Sequence, residues 1–80
     1  MAYRMDLREV FARNLRRLRN DRGLSQEALA YDAGVNRTYL SKLETAVSYP
    51  GLEIIGKLAA VLEVEPAELL KLPPRKSKRK

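Results

Sequence analysis

Apolar residues recur at three- and four-residue steps along most of the chain and nowhere alternate over a useful length, so the pattern predicts helices and no strands. After a loose start over residues 1–4, Leu7, Val10, Phe11, Leu15 and Leu18 form the core stripe of a long first helix, with Asp6 and Glu9 as a capping-box-like start and Gly23 as its stop. Ala28, Leu29 and Ala33 give a short second helix an apolar face; Ser25 is its expected N-cap, and Gly34 can adopt the positive φ that follows a helix end. Two residues later Asn36 caps a third helix, Arg37 to Glu44, whose buried side is Leu40 and Leu43 with Val35 before them. Leu52, Ile54, Ile55, Leu58, Ala59, Val61 and Leu62 make a strongly apolar fourth helix after Pro50 and Gly51. Gly56 within it is a weakness of about 1 kcal/mol against alanine, which we ascribe to close packing. Glu65 and Pro66 begin a fifth helix carrying Leu69 and Leu70, and Pro73 and Pro74 stop it. The fold class is therefore all-α, with five helices in one domain over residues 1–72. The segment 73–80 is a basic tail that ends RKSKRK, has no apolar residue with which to pack, and is expected to be disordered.

Composition narrows the chemistry. The chain has 80 residues, enough for one core, and neither cysteine nor histidine. That removes thiolate and imidazole metal sites as well as Ser-His and Cys-His catalysis, so the expectation is no enzyme, no cofactor and no metal, in a reducing cytoplasm. No apolar run is long enough to span a membrane, and Arg4, Asp6, Arg8 and Glu9 interrupt any signal-peptide core.

Charge changes the picture more. The net charge is +6, but residues 1–23 carry +4, residues 24–44 carry −1, residues 45–70 carry −3 and residues 71–80 carry +6. Positive ends around a near-neutral middle suggest a polyanion-binding face opposite an acidic one. On the first helix Arg8, Arg13, Arg16, Arg17 and Arg22 form either a solvated face or a source of phosphate contacts.

The third helix leaves Arg37, Thr38, Ser41 and Lys42 facing outward, long or hydroxyl-bearing donors suited to base edges in a DNA major groove. Gln26 stands at the start of the second helix, where free backbone N–H groups and the dipole favour a phosphate; it either contacts DNA there or is only a polar first-turn residue. Glu44 would repel phosphate if exposed, so it should turn inward to Arg19 or Arg16.

Three blocks, FARNLRRLRNDRGLSQEALA, AGVNRTYLSKLE and PGLEIIGKLAAVLEVEPAELL, together resemble the Cro/CI-type, lambda-repressor-like (XRE) helix-turn-helix transcription regulators over Phe11 to Leu70. The resemblance implies a compact five-helix domain that binds double-stranded DNA as a homodimer on a two-fold related operator, with no small-molecule ligand. It implies base contacts from Arg37, Thr38, Ser41, Lys42 and Gln26, and an Arg19–Glu44 ion pair. Tyr39 in NRTYLS is similar to a tyrosine of restriction-modification controller proteins that lies near the DNA backbone. The expected phosphate contacts are then Ser25, Asn36, Tyr39, Asn14 and Arg13, and the expected dimer surface is Tyr49, Val64, Leu69, Leu70 and Leu72. Two residues depart from the pattern: Ala46 stands where glycine is usual after the third helix, and Glu63 where a glycine or small polar residue is usual. Val47 and Tyr49, apolar in a loop that is normally polar, either support a dimer or cover the core. A second reading is a protein-interaction module on the same scaffold, a bridging factor or antitoxin subunit, with the acidic segment 45–70 in its favour.

Overall fold

A computed structural model describes residues 6–73. The expected loose start at residues 1–4 lies outside them, as does all of the expected tail except Pro73. Among the described residues the elements are α1 (Leu7–Asp21), α2 (Gln26–Ala33), α3 (Arg37–Glu44), α4 (Leu52–Leu62) and α5 (Pro66–Leu69), with no strand. None of these helices is long and apolar enough to cross a membrane.

Three helices begin on the side-chain caps that their sequences supply. Asp6 accepts from the N–H of Arg8, Ser25 from that of Ala28, and Asn36 from those of Thr38 and Tyr39, at 2.8 to 3.2 Å. The Arg8 guanidinium also hydrogen-bonds the Asp6 carboxylate at 2.9 Å and holds it below the usual carboxylate range. Among the described residues Glu9 does not return the reciprocal bond of a capping box; Asp6 caps α1 alone.

The helix ends share one solution. After α1, α2, α3 and α4 the chain passes through a left-handed residue, Gly23, Gly34, Ala46 and Glu63, with φ between +60° and +69°. In each case the next residue, Leu24, Val35, Val47 or Val64, returns its N–H to a carbonyl five positions back, at 2.9 to 3.1 Å. This is the Schellman arrangement, which satisfies helix-end carbonyls and places an apolar residue just past the left-handed one. Ala46 and Glu63 adopt it without glycine's freedom; Leu24, Val35 and Val64 pack on the core, while Val47 stays exposed.

The core joins Phe11, Leu15 and Leu18 of α1 to Leu29, Ala30 and Ala33 of α2, Leu40 and Leu43 of α3, Ile55, Leu58, Ala59 and Leu62 of α4, and Leu69 of α5. Helix α3 packs against α1 and α2, α2 against α4, and α5 against α1 and α4. Some stripe residues behave differently from expectation. Leu7 and Leu52 are exposed, because each is the first residue of its helix and its side chain leans toward the N-terminus, past the end of the core. Ala30 rather than Ala28 is fully buried in α2. Gly56 is not a close-packing residue: it faces solvent, and a Cβ there would meet nothing within 4 Å.

Candidate nucleic-acid interface

The sequence between α2 and α3 dictates the site's frame. Gly34 turns the chain, Val35 anchors on the core, and Asn36 starts α3 at once, so the two helices are joined by only Gly34, Val35 and Asn36. With Leu40 and Leu43 buried, α3 presents Arg37, Thr38 and Lys42 to solvent and Ser41 half-exposed. These four side chains and Gln26 line one shallow groove of about 360 Å³. Among the described residues neither Arg37 nor Lys42 meets a carboxylate within ion-pair distance. The groove therefore offers cationic and hydroxyl donors on one helix face, the set that acceptors on base edges and phosphate oxygens can use.

Beneath it lies Glu44, 2% exposed. Arg19 grips its carboxylate with two bonds, Nε to Oε2 at 2.6 Å and Nη2 to Oε1 at 3.0 Å, and gives Nη1 to the Leu24 carbonyl at 2.8 Å. Arg16 donates to the backbone carbonyl of Glu44 at 2.6 Å, where a cation also meets the negative end of the α3 dipole. Thus Arg19 takes the side chain and Arg16 the main chain. Gln26 donates Nε2 to Glu44 Oε1 at 2.9 Å. A carboxylate only accepts, so this contact orients the amide: Nε2 points to Glu44. Gln26 is half-buried, a groove-lining residue held from below.

The expected phosphate contacts separate. Ser25 and Asn36 cap the starts of α2 and α3, leaving first-turn N–H groups unbonded within each helix. Arg13 is exposed on α1. Asn14 does not belong with them: it is buried, and its Nδ2 donates to the carbonyls of Leu69 at 3.0 Å and Lys71 at 2.9 Å, which occupies both amide hydrogens in holding the end of α5. Tyr39 donates its hydroxyl to the Tyr49 carbonyl at 3.0 Å, tying α3 to the following loop and engaging the donor a phosphate would use.

The expected dimer residues also divide. Leu69 is fully buried and is a core residue, and Val64 packs partly against the core. Leu70 and Leu72 remain exposed beyond α5. Tyr49 and Val47 are exposed and cover no core; the Tyr49 ring instead carries the Arg8 guanidinium 4.8 Å from its centroid.

Comparison with known proteins gives this geometry a context. The helix-turn-helix family HTH_3 matches residues 15–69. A hypothetical transcription factor of Neisseria meningitidis serogroup B is 46% identical over 70 residues, 88% of this chain and 65% of that protein. A crystal structure of a hypothetical transcription factor from Neisseria superposes with a TM-score of 0.80 at 46% identity, over 86% of this chain and 78% of that one. The restriction-modification controller protein C.AhdI from Aeromonas hydrophila aligns with a TM-score of 0.75 at 42% identity, covering 78% of this chain and 94% of its own. The biofilm regulator SinR, crystallised in complex with DNA, aligns with a TM-score of 0.74 at 32% identity, covering 76% of this chain and 98% of its own. The chain is thus a member of the HTH_3 helix-turn-helix family of DNA-binding transcription regulators, with relatives among transcription factors and restriction-modification controllers.

Proposed function

We propose that this chain is a sequence-specific transcription regulator that acts as a homodimer on a two-fold related operator. The observation that carries the reading is the groove on α3, where Arg37, Thr38, Ser41, Lys42 and Gln26 converge outside a buried ion pair that fixes the angle of their helices. Helix α3 enters the major groove; Arg37 reads a guanine, and Thr38, Ser41 and Lys42 meet neighbouring bases or phosphates. Gln26 contacts a base or phosphate from the start of α2, and Ser25, Asn36 and Arg13 lie at the backbone. The likeness to SinR, which was crystallised with DNA, supports this role for α3. Leu70, exposed at the end of α5, is the apolar group for a contact between copies, and that contact sets half-site spacing. Regulation then follows from occupancy of the operator, with no chemical step.

Selection of bound sites from random duplex DNA tests the reading. It predicts a consensus with two-fold symmetry and half-sites about one helical turn apart. An unenriched pool, or an asymmetric single site, would overturn it.

A further inference from the structure

The cations of α1 extend beyond the reading face. A groove of about 470 Å³ between α1 and the end of α5 is lined by Arg13, Arg17, Lys71 and Leu72, with Glu68 as its one acid among the described residues. A second groove, of about 270 Å³, is lined by Arg13, Arg16 and Glu9 together with Thr45 and Ala46, the residues that follow α3. Arg13 belongs to both. Thr45 stands three positions beyond Lys42, and Arg16 is held against the end of α3 by its bond to the Glu44 carbonyl. Through their shared Arg13 the two grooves form one strip, from Arg16 at the end of α3 past Arg13 to Arg17 and Lys71.

Three observations set this strip apart from an ordinary solvated face. Among the described residues Arg13, Arg16 and Lys71 meet no carboxylate within ion-pair distance, and Arg17 meets only Asp21, at 3.9 Å with both side chains about half exposed. Arg13 and Arg17 are one helical turn apart, a spacing at which like charges repel. Lys71 is placed beside them by the bond from buried Asn14 to its carbonyl. The fold thus concentrates positive charge along a track that starts at the C-terminal end of α3, the helix that carries Arg37 and Lys42, and a polyanion relieves that repulsion.

We propose that this strip holds the DNA phosphodiester backbone beyond the bases read by α3, so that the protein's footprint on the duplex is longer than its recognition sequence. The proposal rests on the reading of α3 as the major-groove helix. A lone small anion would fill one groove but leave the strip's continuity with α3 unused, whereas a DNA backbone follows it. Pro73 is a wall of the outer groove, and the sequence after it carries five more basic residues.

The test is fluorescence anisotropy over a range of KCl concentrations with three duplexes: a selected operator trimmed to its consensus, the same operator with a further helical turn on each side, and a random duplex of the longer length. Wild type is compared with the triple variant Arg13→Ala, Arg17→Ala, Lys71→Ala and with Arg13→Lys, Arg17→Lys, which keeps the charge. We expect wild type to bind the longer operator more tightly than the trimmed one. The triple variant should lose that preference, and its slope of log K against log salt should fall by about 5 for the bound dimer, three side chains from each copy at roughly 0.9 for each phosphate that is no longer neutralised. The loss should be equal on operator and random DNA, and the lysine variant should keep the wild-type slope. An unchanged slope in the triple variant overturns the proposal. So does a changed monomer–dimer equilibrium in sedimentation without a changed slope, since the groove would then meet a second copy. A wild type that fails to prefer operator over random DNA instead overturns the reading of α3 itself.

Discussion

Gln26, the first residue of α2, donates its amide to Glu44, the last residue of α3, across 2.9 Å. The same carboxylate is held by Arg19 of α1, so one buried acid ties α1 to the two helices that carry the groove. Replacing Glu44 by glutamine keeps its shape but leaves the Arg19 guanidinium, largely buried, without a counter-charge. We expect Glu44→Gln to cost about 3 to 5 kcal/mol, as breaking a buried pair does. Urea unfolding should show this as a lower midpoint at unchanged slope.

Asn14 is predicted to matter for stability and not for phosphate. Asn14→Ala removes both bonds to the Leu69 and Lys71 carbonyls, leaving the buried Leu69 acceptor unsatisfied at a cost of about 1 to 3 kcal/mol. Amide exchange should quicken first in α5. The affinity of the folded protein for DNA at fixed salt should stay at the wild-type value; a loss on operator and random DNA alike would return Asn14 to the phosphate set.

Ala46 and Glu63 hold left-handed backbone at φ +63° and +60°. A non-glycine residue there carries about 1 to 2 kcal/mol of strain, and glycine would return about 0.4 to 1 kcal/mol as unfolded-state entropy. Ala46→Gly and Glu63→Gly should therefore each stabilise by roughly 0.5 to 1 kcal/mol, a rise of several degrees in Tm for a domain of this size. Glu63→Gly also removes an exposed pair with Arg22 at 3.4 Å, so its gain should be the smaller.

Gly56→Ala should stabilise as well. The site is helical and exposed, with open space around a new Cβ, so the propensity difference of about 1 kcal/mol is nearly all available. A loss of Tm would mean that the outer face of α4 is covered in the working protein.

Arg37→Ala should weaken operator binding by about 1 to 3 kcal/mol and relax preference at one base position, leaving binding to random DNA almost unchanged. Site selection with the variant reads this directly. An equal loss on every sequence would assign Arg37 to phosphate.

Much of the fold is legible in the sequence because its signals are local. Ser25, Gly34 and Asn36 mark helix ends with side chains or backbone freedom that act within one turn, and the stripe of Val10, Phe11, Leu15 and Leu18 needs no distant partner to be seen. The inward turn of Glu44 is legible from charge, since an acid on a helix read as DNA-facing is expected to turn to a cation inside the fold. What escapes depends on contacts far along the chain. Leu69 reads as a surface for a second copy because the bond that seats α5, from Asn14, spans 55 residues. Tyr39 reads as available to phosphate because its partner, the Tyr49 carbonyl, carries no side-chain signature. At Ala46 and Glu63 a usable signal exists: each is followed by valine, the apolar residue expected just past a left-handed helix end, as Gly23 and Gly34 are by leucine and valine.

Those four matching helix ends bear on how fast and at what entropic cost the domain meets its target. With the connections after α1 to α4 each closed by the same backbone bonds, docking of the folded domain requires no loop to be ordered first. For the described residues association is then that of a rigid body, its rate set by diffusion and electrostatic steering, with no heat-capacity contribution from folding of these connections.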